Sequence, residues 1–245
     1  MIKWTRKMKK HAVTKPPLAV NAARLREGWP APAGGRIRLI RPGEAAAADA
    51  LLNLAGVKLD PYVRKSLDAG SLAAALMTGL DDSRPAFYTA TMRGCATPRL
   101  VDGLPCLALL LVAVDASGEV VGVLSGMPSL AVVKMALGCG FTTEQALAMS
   151  LAIAKVQGLA IAEHARGQGL AAELLERAWQ VYRQLGYAVL YGSFEVGRDL
   201  ERFYAQQGFT VLGLGGRLSL QPLNLPFLLH AGNTERMFSR WHLPN

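Results

Sequence analysis

The chain has 245 residues, of which 51% are hydrophobic and 18% are charged. This length and composition allow one buried core and exclude a globally disordered chain. The net charge of +9 does not indicate a basic domain surface, because residues 1–27 hold eight Lys and Arg residues against one Glu and so carry +7 of it.

The sequence has no clear pattern for a secretory signal, a membrane-spanning helix or a metal site. The basic N-terminal segment lacks the apolar stretch of a secretory signal, and the longest uncharged run of the most apolar region, residues 145–154, is shorter than the ~18 residues of a membrane-spanning helix. Cys95, Cys106 and Cys139 lack metal-type spacing, and the four histidines are scattered. We therefore expect no membrane span, no metal site, no disulfide framework and a reducing, cytoplasmic location.

Residues 1–35 are predicted to be a basic, flexible tail, because Pro and Gly punctuate them and no apolar periodicity is present. Residues 1–30 are accordingly expected to be dispensable for folding, so that a chain starting near Pro32 keeps its thermal midpoint. A basic arm can contact phosphates or anionic lipid, but a solvated leader is the favoured interpretation. Residues 36–245 are predicted to form one domain.

Apolar periodicity and turn signals predict alternating strands and helices after the tail. Strands are expected at residues 36–40, 107–114, 119–124, 157–162, 187–194, 210–212 and 216–220. Helices are expected at residues 44–55, after Asp60-Pro61, at 71–77, within 126–155, and at 170–185 and 198–207. Residues 70–105 are ambiguous, and residues 87–91 are a candidate strand there.

Residues 166–171 join an apolar strand to a long amphipathic helix through a turn with two glycines. The first N–H groups of a helix lack internal partners, and the helix dipole places partial positive charge there. Gly167 and Gly169 let the backbone approach a phosphate, and Arg166 adds a cation that can fork onto phosphate oxygens. The segment therefore suits a pyrophosphate, although a plain strand-to-helix turn would also explain two glycines.

Two motifs resemble those of the GNAT superfamily of N-acetyltransferases. The sequence Arg-Gly-Gln-Gly-Leu-Ala at residues 166–171 fits the family's R/Q-x-x-G-x-G/A acetyl-CoA signature. Residues 199–209, in which Tyr204 precedes Gly208-Phe209, are similar to the family's second motif. Both occur in the family's order, and the good match covers roughly residues 156–213.

The resemblance implies an α/β fold with a mixed, twisted sheet flanked by helices, whose fourth and fifth strands splay apart to hold the pantetheine arm. A helical insertion is expected between the third and fourth strands, where it could cover the acceptor cleft or form a homodimer surface. The residues that the resemblance assigns to acetyl-CoA are Ile161, Ala162, Glu163, Arg166, Gly167, Gln168, Gly169, Leu170 and Ala171.

The chemistry that the resemblance implies is direct attack of an amine on the thioester of acetyl-CoA. Tyr204 is then the general acid for the departing thiolate, since a phenol can donate its proton. The general base is not identified: Glu163, Ser193, Glu195 and a water molecule all remain candidates. The acceptor amine is not indicated by any motif.

Departures from the family pattern keep other functions open. Gly197 stands where many members carry Asn, Glu163 stands where many carry Pro, and residues 155–161 contain no Glu. A GNAT-like module that binds acyl-CoA without catalysis is one alternative. Another is an acetyltransferase directed to aminoacyl-tRNA by the basic tail, although a nucleic-acid partner is not favoured.

Overall fold

The computed structural model describes residues 19–32 and 34–243. Ten strands lie in this part of the chain: β1 (Trp29–Pro30), β2 (Arg36–Leu39), β3 (Leu109–Val114), β4 (Val120–Pro128), β5 (Ile153–Ile161), β6 (Val189–Glu195), β7 (Thr210–Val211), β8 (Arg217–Ser219), β9 (Leu228–His230) and β10 (Glu235–Trp241). Eight form one sheet in the order β1-β2-β3-β4-β5-β6-β10-β7, and β8 and β9 form a separate hairpin.

The helices are α1 (Ala22–Glu27), α2 (Ala45–Leu54), α3 (Pro61–Asp68), α4 (Ala74–Asp81), α5 (Arg84–Cys95), α6 (Leu100–Gly103), α7 (Leu130–Gly138), α8 (Thr143–Ser150), α9 (Leu170–Gln184) and α10 (Glu201–Gln206). Several begin at local capping signals: Asp60 caps α3, and Thr142 and Gln145 form a reciprocal capping box at α8. Within the described residues, no helix combines the length and apolar character needed to cross a membrane.

One pair of strands interrupts an otherwise antiparallel sheet. β5 and β6 pair in parallel over three residues only, from Ile153 opposite Val189 to Lys155 opposite Tyr191. Gln157 then forms a bulge in β5, which bends a strand, and the two strands part. The helices α2 and α9 pack against β4 and β5 from opposite faces. The predicted mixed sheet, flanked by helices and split between two strands, is therefore confirmed.

The predicted helical insertion is also confirmed, as α7 and α8 between β4 and β5. Val132 and Val133 of α7 and Ala146 of α8 are buried against Ile153 and Val189. The insertion thus covers the sheet where β5 and β6 are still paired.

The prediction of a strand at residues 87–91 is wrong, because these residues lie inside α5. The side chain of Ser83 caps the helix. Phe87, Thr91 and Cys95 are buried at a spacing of four residues, so they form one helical stripe. Aromatic and β-branched residues favour a strand locally, but packing of this stripe overrides that preference.

The last strands differ from the predicted closing pair. The predicted strand at residues 216–220 appears as β8, which pairs with β9 outside the main sheet. The main sheet instead receives β10, a strand that the sequence patterns did not predict. β10 lies between β6 and β7 and pairs with both.

The predicted end of the tail, at residue 35, is too late in the sequence, because residues from Val20 onward pack on the domain. Val20, Leu25 and Trp29 are 1%, 0% and 4% exposed. The Gln184 side chain accepts a hydrogen bond from the Val20 N–H at 2.7 Å and donates one to its carbonyl at 2.5 Å, while Trp29 packs under the Arg177 guanidinium, 5.3 Å from the ring centre. The domain therefore begins by residue 20. Residues 1–18 of the predicted tail lie outside the described residues.

This packing predicts the opposite of the truncation result expected from sequence. A chain starting at residue 32 should lose about 3 kcal/mol or more of unfolding free energy, because burial of one aliphatic side chain contributes about 1.5–3 kcal/mol. Urea denaturation measures the loss, and a chain starting at Ala19 is the matched control because it retains all of these contacts. Equal midpoints for the two chains would contradict the prediction.

Candidate active site

The parting of β5 and β6 opens a cleft in the middle of the sheet. It contains a cavity of about 500 Å³, bounded by the α2–α3 loop, β5, the end of β6, α10 and the start of β10. The charged and polar residues that line it are Lys58, Lys155, Gln157, Ser193, Glu195, Arg198, Tyr204 and Glu235. A ligand in this cleft would contact the edges of β5 and β6, which lie in the middle of the sheet.

A second cavity, of about 350 Å³, lies between α1, the end of β2 and the helices α3 and α4, and its lining is mostly apolar. It does not include Tyr204, which lines the cleft between β5 and β6. The cleft between β5 and β6 is therefore the candidate active site. None of the described residues of α7 and α8 lines this cleft, so the insertion does not form its wall.

The end of β5 has a backbone edge that does not pair with β4. The Ala162 N–H donates to the Val121 carbonyl at 2.8 Å, so Ala162 is engaged with β4. Backbone groups alternate sides along a strand, and those of Ile161 therefore point away from β4. The Ile161 carbonyl receives a long contact from Arg166 Nε at 3.4 Å. Glu163 opens a 3₁₀ turn, and its carbonyl accepts the Arg166 N–H at 3.2 Å.

The glycine-rich loop follows this turn and leads directly into α9. Gly167 and Gly169 have φ angles of +76° and +79°, a left-handed conformation that glycine adopts without strain. A Cβ on Gly167 would meet nothing within 4 Å, and one on Gly169 would meet only Pro32, at 3.8 Å. The backbone angle therefore selects glycine here, and the outer face of the loop is open to a ligand.

The start of α9 has unsatisfied hydrogen-bonding capacity. Gly169 occupies the N-cap position and no side chain caps the helix. Leu170 is buried and anchors the first turn, while Ala171 is partly buried beside it. Such a helix start concentrates N–H groups and positive potential at one point.

Two polar side chains flank the loop. The guanidinium of Arg166 is exposed and belongs to no ion pair among the described residues. Gln168 is exposed and only touches the His164 carbonyl, at 3.4 Å. Both side chains can therefore turn toward an anion at the start of α9.

Tyr204 is held in a stack of aromatic rings beneath the cleft. Its ring lies 3.7 Å from Phe238 and 5.4 Å from Phe194, measured between ring centres, and both pairs are nearly parallel. The residue is 5% exposed and lines the cavity, and its hydroxyl forms no hydrogen bond with any described residue. Burial raises the pKa of Tyr204 well above that of a free tyrosine. The phenol therefore carries its proton at neutral pH.

Of the three candidate general bases among the side chains, two line the cleft and one does not. Ser193 and Glu195 line the cleft, and Glu195 forms an ion pair with Arg198 at 3.2 Å. Glu163 is exposed in its turn and does not contribute to the cavity. Gly197 has a φ of +93°, so the turn after β6 uses the conformational freedom of glycine where an Asn was expected.

Glu235 lines the same cavity but was not among the predicted site residues. It is the first residue of β10, and β10 lacks the strict alternation of apolar and polar residues that marks a half-buried strand. Met237 and Phe238 are adjacent and both buried, which obscured the signal.

Comparison with protein families agrees with this geometry. Residues 107–211 match the family described as the acetyltransferase (GNAT) domain. The chain contains a GNAT domain. The match runs from the residues before β3 to β7 and includes both motifs, although it covers less than half of the chain. No match was found among the curated proteins.

Solved structures of GNAT acetyltransferases resemble the chain at low identity. YhbS from Escherichia coli, determined in complex with CoA, is 23% identical over 72% of this chain and 68% of its own, with a TM-score of 0.40. Ard1 from Thermoplasma volcanium is 13% identical over 86% and 99%, with a TM-score of 0.46. A GNAT acetyltransferase from Staphylococcus aureus is 9% identical over 84% and 98%, with a TM-score of 0.46. At these values none of them carries its activity or acceptor over to this chain.

The buried Tyr204 phenol predicts a pH dependence of stability. Because the folded chain holds this proton more tightly than the unfolded chain, the contribution is intact below about pH 10, the ordinary pKa of tyrosine, and is lost as the pH rises further. Unfolding free energy should therefore fall more steeply in the original protein than in Tyr204→Phe, by up to about 1.4 kcal/mol per pH unit. Urea denaturation from about pH 8 to 11 tests this, and parallel curves would refute it.

Proposed function

We propose that this chain is an N-acetyltransferase that transfers the acetyl group of acetyl-CoA to an amine by direct attack, without an acyl-enzyme. The observation that carries the proposal is Tyr204, which lines the cleft that β5 borders and whose hydroxyl has no hydrogen-bond partner among the described residues. The same strand leads from the cleft to the open glycine-rich loop. The GNAT domain match to residues 107–211 supports the reaction class.

Three parts of the site suit three successive parts of acetyl-CoA: the pyrophosphate, the pantetheine arm and the thioester. The uncapped start of α9, the left-handed glycines and Arg166 suit the pyrophosphate, which needs N–H donors and positive charge. The free edge of β5 at Ile161 suits the amides of the pantetheine arm, which can bond there like an added strand. The interior of the cleft, beside Tyr204, is then the place for the thioester.

The acid–base demands of the reaction match Tyr204. The acceptor nitrogen forms a bond to the acetyl carbon as the carbon–sulfur bond breaks, and the leaving sulfur must gain a proton. Tyr204 donates its phenolic proton to that sulfur and regains one from solvent. The buried phenol is protonated at neutral pH, so the proton is present in the resting protein.

Gly169→Val tests the placement of the pyrophosphate. The side chain would lie at the start of α9, with only Pro32 within 4 Å of its Cβ, and would keep phosphate oxygens from the helix N–H groups. Loss of one or two charge-assisted hydrogen bonds should weaken acetyl-CoA binding about 10- to 100-fold, measured by calorimetry.

Gly140→Val is the matched control, because Gly140 has a similar φ of +85°, has open space around it and lies between α7 and α8. It introduces the same backbone strain away from the loop and should bind acetyl-CoA normally. Unchanged affinity in a folded Gly169→Val protein would exclude this placement.

Tyr204→Phe tests the chemical role, since it retains the stacked ring and removes only the hydroxyl. A general acid contributes about 10²- to 10⁴-fold in rate, so kcat should fall by that factor with little change in acetyl-CoA affinity. The measurement is release of free thiol from acetyl-CoA across a panel of amines and peptides. Normal turnover in Tyr204→Phe would remove the residue from the mechanism, and thioester binding without turnover in the original protein would favour a non-catalytic module.

A further inference from the structure

Two side chains of opposite charge face the cleft without an ionic partner. Lys155 on β5 and Glu235 on β10 both line the cavity. Neither belongs to an ion pair with any described residue, and they do not pair with each other. A partly buried charge without a partner is unfavourable. Lys58 also lines the cavity without an ion pair, but it is exposed to solvent, so Lys155 and Glu235 are the partly buried charges of the cleft that lack an ionic partner among the described residues.

Glu235 lies in a crowded acidic position. It stands directly opposite Glu195 across β6 and β10, and the adjacent hydrogen bond between the strands makes this a non-hydrogen-bonded pair, in which side chains come closest. Like charges in such a pair repel. Arg198 compensates Glu195 at 3.2 Å, whereas Glu235 accepts only the Gly232 N–H, at 2.8 Å. A cation beside Glu235 would relieve the remaining repulsion.

Lys155 occupies the point where the two strands part. It is partly buried and stands opposite Tyr191 in the last parallel pair. The Tyr191 hydroxyl shares a hydrogen bond of 2.6 Å with Ser129, so it is already engaged. Lys155 therefore offers a cation without an ion pair to an anionic group that enters the cleft between the strands.

We propose, on the basis of the N-acetyltransferase function, that the acceptor is a small zwitterion such as a free amino acid. Its carboxylate binds Lys155 and its ammonium group binds Glu235. One molecule then satisfies both unmatched charges. A polyamine is disfavoured, because the cleft already holds the cations Lys58, Lys155 and Arg198 against two carboxylates.

The charge change of the reaction fits this arrangement. The ammonium form of the acceptor loses one proton to solvent, and the resulting amine attacks the thioester, so that R–NH₃⁺ and acetyl-CoA give R–NH–CO–CH₃, CoA–SH and H⁺. The amide product has no cation for Glu235 and retains only the carboxylate contact with Lys155. Loss of that attraction favours product release.

The test compares L-alanine, L-leucine, L-methionine and L-phenylalanine with their primary amides, which lack the carboxylate charge. The amine of an amino acid amide is the more easily deprotonated, so a preference for the free acid reports recognition of the carboxylate. We expect kcat/KM to favour at least one acid about tenfold or more over its amide. Lys155→Met should remove that preference by slowing the acid alone, and Lys155→Arg should restore part of it.

Calorimetry supplies a readout that does not depend on turnover. Titration of the preferred amino acid into the protein saturated with CoA should show about tenfold or more weaker binding in Lys155→Met. Lys134→Met is the control, since this exposed lysine of α7 lies away from the cleft, and it should leave both the affinity and the preference unchanged.

Each other result overturns the proposal in a distinguishable way. Turnover of amines with no preference for the acid would leave the N-acetyltransferase function in place and refute the zwitterionic acceptor. An equal loss with acid and amide in Lys155→Met would make Lys155 structural. If Lys58→Met removed the preference for the acid and Lys155→Met did not, the carboxylate would bind Lys58 at the rim of the cleft. Acetyl-CoA binding without turnover of any amine would refute both proposals.

Discussion

The short parallel pairing of β5 and β6 is the constraint on which the candidate site depends. Pairing stops after Lys155 and Tyr191, and the bulge at Gln157 bends β5 away. If the strands were paired along their full length, β6 would cover the free backbone edge of β5 at Ile161. It would also close the cavity that Tyr204 lines. An open cleft inside a sheet is therefore a property of two strands that begin together and separate, and no single residue creates it.

The N-terminal segment holds the helix that begins at the glycine-rich loop. It lies along α9 at three points. Gln184 near the C-terminal end binds Val20, and Arg177 packs over Trp29. At the N-terminal end, Pro32 is the residue that a Cβ on Gly169 would meet, at 3.8 Å. β1 then joins the segment to the edge of the sheet. A helix start that is to bind an anion must keep its N–H groups in fixed positions, and contacts along the whole of α9 meet that requirement.

Aromatic packing fixes the other side of the cleft. The Tyr204 ring stacks on Phe238 of β10 and packs beside Phe194 of β6, so it has little freedom, while its hydroxyl has no hydrogen-bond partner among the described residues. β10 contributes to the site twice, since it supplies Phe238 to this stack and Glu235 to the cleft wall. One strand therefore both holds the tyrosine ring in place and contributes a negative charge to the cavity. Lys155 completes that charge pattern from the opposite strand.

The sequence by itself determined the elements whose signals are local. The glycine-rich loop, the start of α9 and the short helix that ends before Gly208 could be predicted because helix ends and left-handed glycines depend on neighbouring residues. The place of Tyr204 at the site was implied by the resemblance to the GNAT superfamily. The same reasoning located α2, α8 and the hairpin of β3 and β4.

Tertiary structure alone decided the docking of the N-terminal segment, the place of β10 and the charges that meet in the cleft. α1 has six residues, too few to display a periodic face, and its position depends on Gln184, which is 164 residues from Val20. Glu235 and Lys155 likewise belong to strands about 80 residues apart in the sequence, so their common cavity has no local pattern. Contacts between residues far apart in the sequence form only when the sheet assembles, so a local sequence pattern cannot indicate them.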